Sequence, residues 1–268
     1  MLGRTSLTVL VLAAAGTLTA CATKTARVTV YQPSFDFTPP STAPAGDAGV
    51  TIALVATQYP GQEAPAAPTV YAHSQQIPAT VLWGLLAPEL PNSMARDFEE
   101  ALVARGFTLK GPYDSYEEMV YSDKRDTDLV LIPELDITLI VTDFSVKQNF
   151  KLISDNTYSI ERGVAQLRGR VNLNAYESMT FTKLWLKSLD VPETSIEFDG
   201  NVEYPAQPLG IDPIREVSFR TAVAQALEEE MYSRVLQTAW DYLDPQEMQV
   251  LKQQAEEIRA KAGFEIRR

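Results

Sequence analysis

"DLVLIPELDITLIV", residues 128–141, changes its hydrophobic period once, at Pro133, and that change decides the fold class. Leu129 to Ile132 is apolar at every position, as a strand buried on both faces of a sheet must be. Beyond the proline, Leu135, Ile137, Leu139 and Val141 alternate with Glu134, Asp136 and Thr138, the pattern of a strand with one wet side. Upstream, "GVTIALVATQY" (49–59) is β-branched and apolar enough for a second buried strand. Between the two, "PNSMARDFEEALVARGF" (91–107) reads as a helix. Asn92 or Ser93 can cap it, Met94, Phe98, Ala101 and Leu102 share one face, and Gly106 supplies a left-handed stop. Phe107 to Lys110 suits a short strand, and Pro112 to Asp123 a loop or short acidic helix. Residues 48–142 thus form a strand-helix-strand module whose helix covers one sheet face.

The second half extends that sheet. From Gln166 to Ala175, Leu167, Gly169, Val171, Leu173 and Ala175 alternate with Arg168, Arg170, Asn172 and Asn174, a period-2 strand that is polar on one side. "TFTKLWLKSLDV" (180–191) is its partner, and Glu177-Ser178 suits the turn between them, so residues 158–192 read as an antiparallel β-hairpin. Two helices close the chain over 212–262. Asp212-Pro213 is a cap followed by proline at the first helical position, with a stripe of Phe219, Val223, Leu227, Met231 and Val235. Asp244-Pro245-Gln246-Glu247 repeats the device, with Glu247 where a capping box needs it. Met248, Leu251, Ala255, Ile258 and Ala262 then form a second stripe, either a seam for a partner or packing between the two helices. The fold class expected is α+β. Its parts are a mixed, largely antiparallel sheet, a covering helix, a hairpin extension and two C-terminal helices, all in one domain over 48–268.

Residues 1–20 differ in kind. Arg4 is followed by an apolar run from Leu7 to Ala15, too short to span a bilayer, as in a secretory signal. "LTAC" (18–21) then resembles the lipobox of bacterial lipoproteins, and the resemblance implies cleavage before Cys21 and acylation (palmitate) of that residue. Cys21 is the sole cysteine of 268 residues, and lipidation accounts for a thiol that export would otherwise leave without a disulfide partner. Acyl chains contribute about 0.8 kcal/mol per buried CH₂, enough for lasting attachment when two or more are present. Ala22 stands where aspartate would signal inner-membrane retention in such lipoproteins, so the expectation is lipid anchoring at the bacterial outer membrane. Residues 21–47, with Pro33, Pro39, Pro40 and Pro44, read as a flexible tether.

Chemistry-bearing patterns are sparse. A net charge of −12 argues against nucleic acid as a partner and against electrostatic docking on anionic lipid. With Cys21 committed to lipid and His73 the only histidine, a Cys/His pair or histidine-rich metal site lacks its residues, and no cofactor is implied. Neither G-x-S-x-G nor GxxxxGK[ST] occurs. The numerous carboxylates, such as Glu99-Glu100 and Glu228 to Glu230, suit charged solvent faces. Arg162, Arg168 and Arg170 form the one group with a binding flavour. The last two project from one strand face about 7 Å apart, where they can grip a carboxylate or phosphate, or pair with acids across the sheet. The composition therefore points away from an enzyme.

"LWLKSLDVPETSIEF" (184–198) and "TAVAQALEEEMYSRVLQTAWDYLDPQEMQVLKQQAEEIRAKAGF" (221–264) together resemble the neuraminyllactose-binding hemagglutinin family of bacterial lipoproteins. "FEEALVARGFTLKG" (98–111) and "TDLVLIPELDITL" (127–139) extend the resemblance to roughly residues 48–264. It implies an outer-membrane or surface lipoprotein with an adhesin-like, hemagglutinin-like or flagellar-sheath role, binding a host glycan or receptor. The family's proposed sugar-binding stretch is a Lys/Arg-rich run, whereas "TDFSVKQNFKLISDN" (142–156) keeps only Lys147 and Lys151. A periplasm-facing factor that docks another envelope protein is the other expectation.

Overall fold

A computed structural model describes residues 31–44, 46–58, 75–77, 87–150, 156–205 and 217–264. The signal segment, Cys21 and His73 lie outside the described residues. The fold is α+β, and its elements follow the chain as β1 (Thr51–Val55), β2 (Gln75–Ile77), α1 (Leu90–Ala104), β3 (Thr108–Tyr113), a 3₁₀ turn (Tyr116–Glu118), α2 (Tyr121–Arg125), and β4 (Leu129–Phe150). There follow β5 (Asn156–Glu177), β6 (Lys183–Pro205), α3 (Val217–Ala226), a π-helical turn (Leu227–Tyr232), α4 (Ser233–Tyr242) and α5 (Pro245–Lys261). The sheet is mixed, in the order β3-β1-β4-β5-β6, with β2 also pairing β4. β1 runs parallel to β3 and β4, while β4, β5 and β6 are antiparallel.

The switch at Pro133 does what its sequence requires. Leu129, Val130, Leu131 and Ile132 are all buried, because β1 and β5 flank them and both faces are covered. Farther along, Leu135, Ile137, Leu139 and Val141 stay buried while Asp136 opens to solvent. The inner face carries the main core, which joins α1 and the α3–α4 helix to Leu167, Val171, Leu173, Leu189 and Phe198. A smaller cluster of Ala53, Val55, Met119, Val130 and Ile132 covers the other face at the β1 end.

Strands β4 to β6 are longer than the alternation indicates. At 22 or 23 residues each they reach roughly 70 Å. The hairpin expected over 158–192 continues to Pro205, since "IEFDGNVEYP" pairs with β5 as far as Asn156. Its turn does fall after Glu177.

Several local expectations change. Helix α1 begins at Leu90 with Pro91 in its first turn and Glu89 before it, so neither Asn92 nor Ser93 is the cap; no side chain caps this end. Gly106 does close it, with φ +86°. The stripe Phe219, Val223, Leu227, Met231, Val235 is wholly buried. Its strict four-residue spacing advances about 40° per step on an α-helix, and the wider π turn at Leu227–Tyr232 takes up that drift. Asp244 caps α5 as expected, its Oδ1 accepting from the backbone of Gln246 (2.6 Å) and Glu247 (3.2 Å). Glu247 does not complete a capping box. It instead accepts from Trp185 Nε1 (2.9 Å) and pairs with Lys187 (3.2 Å), tying the helix start to β6. The C-terminal helices are not a pair packed on one another through the expected stripe: α5 crosses the sheet, contacting β6, β5 and β4. Its buried line runs Met248, Leu251, Ala255, Arg259, and Ala262 is exposed.

The largest correction concerns the tether. Residues 31–44 lie on the domain, with Phe35 and Phe37 buried in the core. Tyr31 Oη donates to Glu228 on the π turn (2.6 Å), and the Phe35 ring packs at 5.0 Å on Tyr232. Arg96 of α1 donates to the Phe35 carbonyl (3.0 Å), and Ala43 N–H to that of Ala104 (2.7 Å). Burying one phenylalanine contributes about 1.5–3 kcal/mol, so two hold an arm that the proline count alone marks as loose.

Candidate binding surface

Even-numbered residues of β5 face away from the main core: Arg168 and Arg170 are exposed there, while Asn174 and Tyr176 of the same face lie at the smaller cluster beside Tyr116 and Met119. Arg170 is exposed between Asp136 on β4 and Asp190 on β6, and its Nε stands 3.7 Å from Asp136 Oδ2. Arg168 is opposite Thr138 on β4 and has no ion pair among the described residues. On its other side the β5–β6 register shifts between Leu167 and Gly169, so Arg168 stands opposite a bulge of β6 in which Pro192 and Glu193 together face it. Gly169 follows Arg168 with φ +148°, and a Cβ there would lie 2.2 Å from the Asp136 carbonyl oxygen, so only glycine fits this close approach of β5 to β4. The two arginines do share a face, one partly neutralised and one open.

The remaining sequence candidates are not gathered with them. Arg162 pairs with Asp199 across to β6 (3.0 Å). It borders an open depression of about 410 Å³ whose charged lining also includes Asp143, Glu197 and Asp199, a balance that repels anions. Lys147 lies on β4 opposite Ile160, and Lys151 is outside the described residues.

Among the described residues, the buried charged side chains Arg259, Glu177 and Asp97, where catalysis is usually sought, are hydrogen-bonded into the fold. Arg259, 8% exposed, donates its Nε to Glu177 and its Nη2 to the Thr127 carbonyl, the Ser178 hydroxyl (2.5 Å) and the Asp128 carbonyl (3.2 Å). Glu177 also accepts from the backbone of Met179 (2.9 Å) and Thr180 (2.6 Å) and from Thr180 Oγ1 (2.7 Å). Burial alone would raise the Glu177 carboxyl, but Arg259 and these donors outweigh it and hold the group below the usual carboxylate range. Asp97, fully buried, accepts from Tyr232 Oη (2.7 Å) and Arg96 Nε (3.1 Å). Burial, followed by that bond to Asp97, pushes the Tyr232 phenol far up. Both carboxylates therefore act as struts.

Beside the surface runs a ladder that no sequence pattern announced. Phe181 stacks between Tyr116 (4.0 Å) and Tyr176 (4.4 Å), with Lys124 3.7 Å from the Tyr116 ring and Lys183 5.5 Å from that of Tyr176. Phe181 has φ +55°, rare for an aromatic residue, and the two flanking rings hold it there. The stack braces the β5–β6 turn. Asn174, assigned by alternation to the wet side, is fully buried, and its Oδ1 has no hydrogen-bond partner.

No family model and no curated protein sequence matches the chain. Among solved structures it is similar to a neuraminyllactose-binding hemagglutinin homolog from Helicobacter pylori, at 13% identity and a TM-score of 0.48, covering 85% of this chain and all of that one. A Xanthomonas campestris protein of family DUF330 matches at 14% identity and 0.31, covering 85% and 99%. A Neisseria meningitidis lipoprotein matches at 14% and 0.16, covering 56% and 83%. These likenesses are distant, and the functional reading rests on this chain's own residues. No helix among the described residues is long and apolar enough to cross a membrane.

Proposed function

We propose that this chain is a lipid-anchored protein of the bacterial outer membrane that works by binding and not by catalysis, in an adhesin-like role at the cell surface or flagellar sheath. One observation carries the binding site: in a chain of net charge −12, Arg168 stands exposed opposite a bulge of β6, beside Arg170 on the outer face of a long sheet. Two guanidinium groups on one face favour an anionic partner, such as an acidic glycan or an acidic protein surface. The non-catalytic reading draws on Glu177 and Asp97, whose hydrogen-bonding capacity is spent on the fold. The anchor reading draws on residues 1–21, with Cys21 as the acylated position.

A second reading, a periplasm-facing factor that docks another envelope protein, is favoured by the form of the surface. Small ligands are held in concave pockets, whereas an open sheet face with strands of 22 residues suits a protein partner. Protease shaving of intact cells separates the two. Loss of the protein supports the surface role, and full protection moves the site to the periplasm. Binding of the detergent-solubilised protein to acidic glycans, compared with Arg168→Glu/Arg170→Glu, tests the site itself. Equal binding by both proteins would remove these arginines from it.

A further inference from the structure

The strap formed by residues 31–44 constrains more than stability. It crosses from the π turn to α1 on the helical layer: Tyr31 is fastened to Glu228, the Ser34 N–H donates to the same carboxylate (3.1 Å), and Phe35 lies between Tyr232 and Arg96. Asp97 joins the two helices beneath it through Tyr232. Ten residue steps join an acylated Cys21 to Tyr31, so the anchor lies at most about 35 Å from the start of the strap.

That length is short against the body it holds. A helix is about 10–12 Å across, sheet layers pack about 10 Å from their neighbours, and strands are spaced about 4.8 Å apart. A chain leaving the helical layer and passing a sheet edge to the outer face would consume most of 35 Å, roughly, before any was left for the membrane. We infer that the strap turns the helical layer toward the anchoring membrane and the outer sheet face, with Arg168 and Arg170, away from it. The partner then approaches from the aqueous side, and lipid headgroups of the same membrane are not its ligand. Glu99, Glu100 and Glu229 on the near side resist close contact with anionic lipid only within about 10 Å, so the leash sets the distance.

This inference rests on the reading of Cys21 as the lipid anchor, and the experiment separates the two. Acylation of the native cysteine leaves an introduced cysteine as the sole thiol for a fluorophore. Full-length lipidated protein carrying Glu100→Cys on α1, or Arg168→Cys on β5, is incorporated into phosphatidylcholine vesicles with nitroxide-headgroup lipid. Quenching at position 100 should exceed that at 168 by about twofold or more, given the reach of the leash. A Gly/Ser spacer of about 20 residues inserted after Lys24, between the acylated cysteine and the strap, should bring the two signals together. Equal quenching without the spacer, or a difference that the spacer leaves unchanged, would overturn the inference while leaving the anchor intact. Failure of the lipidated protein to stay with the vesicles would overturn both.

Discussion

Arg259 and Arg170 reach the same sheet from opposite sides and do opposite work. Arg259 enters from α5 into a site closed by Glu177, Ser178 and the carbonyls of Thr127 and Asp128, where each guanidinium contact replaces a lost water. Arg170 lies in water between two aspartates, 3.7 Å from the nearer, and its side chain is 56% exposed. A buried charge is costly unless fully partnered, so it is committed to the fold, whereas an exposed one stabilises little and stays available. Desolvation, and not residue type, separates strut from binding group.

The comparison breaks most directly at Arg259. Arg259→Met leaves Glu177 buried without its cation and should lower unfolding free energy by about 3–5 kcal/mol in urea denaturation, with Glu177→Gln in the same chain restoring part of it. A loss under 1 kcal/mol, roughly, would mean that water already reaches the pair. Acid should act on the same contact. The folded Glu177 carboxyl lies below its unfolded value, so its contribution is present above the ordinary carboxylate range, near pH 4.3 or so, and is lost as pH falls through the folded pKa. Urea midpoints measured from pH 7 down to acid should fall more steeply for the native chain than for Glu177→Gln. Tyr232→Phe removes one donor from Asp97 and should cost about 1–3 kcal/mol. At the exposed end, Arg168→Glu with Arg170→Glu should shift stability by no more than about 0.5 kcal/mol while abolishing capture of the anionic partner. A large stability loss there would show the outer face to be structural.

Much of the sheet was legible because its signal is local. The alternation around Pro133 and along Gln166–Ala175 places the buried apolar residues by period alone, and fails at Asn174, which the smaller cluster on the other face buries. Arg168 and Arg170 were found the same way, as polar residues alternating with the apolar ones of a strand. Arg259 was hidden: its position looks like one more charge in "AEEIRAK", and only the arrival of the β5–β6 turn beside α5 buries it. The bulge opposite Arg168 was equally unreadable, since it arises from one extra residue on the neighbouring strand. The arm at 31–44 was misassigned because proline content reports backbone stiffness and not whether Phe35 and Phe37 find a groove.

By itself the sequence determined the α+β class, the strand faces, the Asp244 cap and the presence of a candidate acylation site, because each depends on residues a few positions apart. Tertiary structure alone decided that a proline-rich arm is a strap, that one arginine of α5 is a buried strut, and that the C-terminal helix packs on the sheet. Those outcomes depend on partners more than 60 residues distant, as between Phe35 and Arg96 or Glu177 and Arg259, and no local period encodes who will be there.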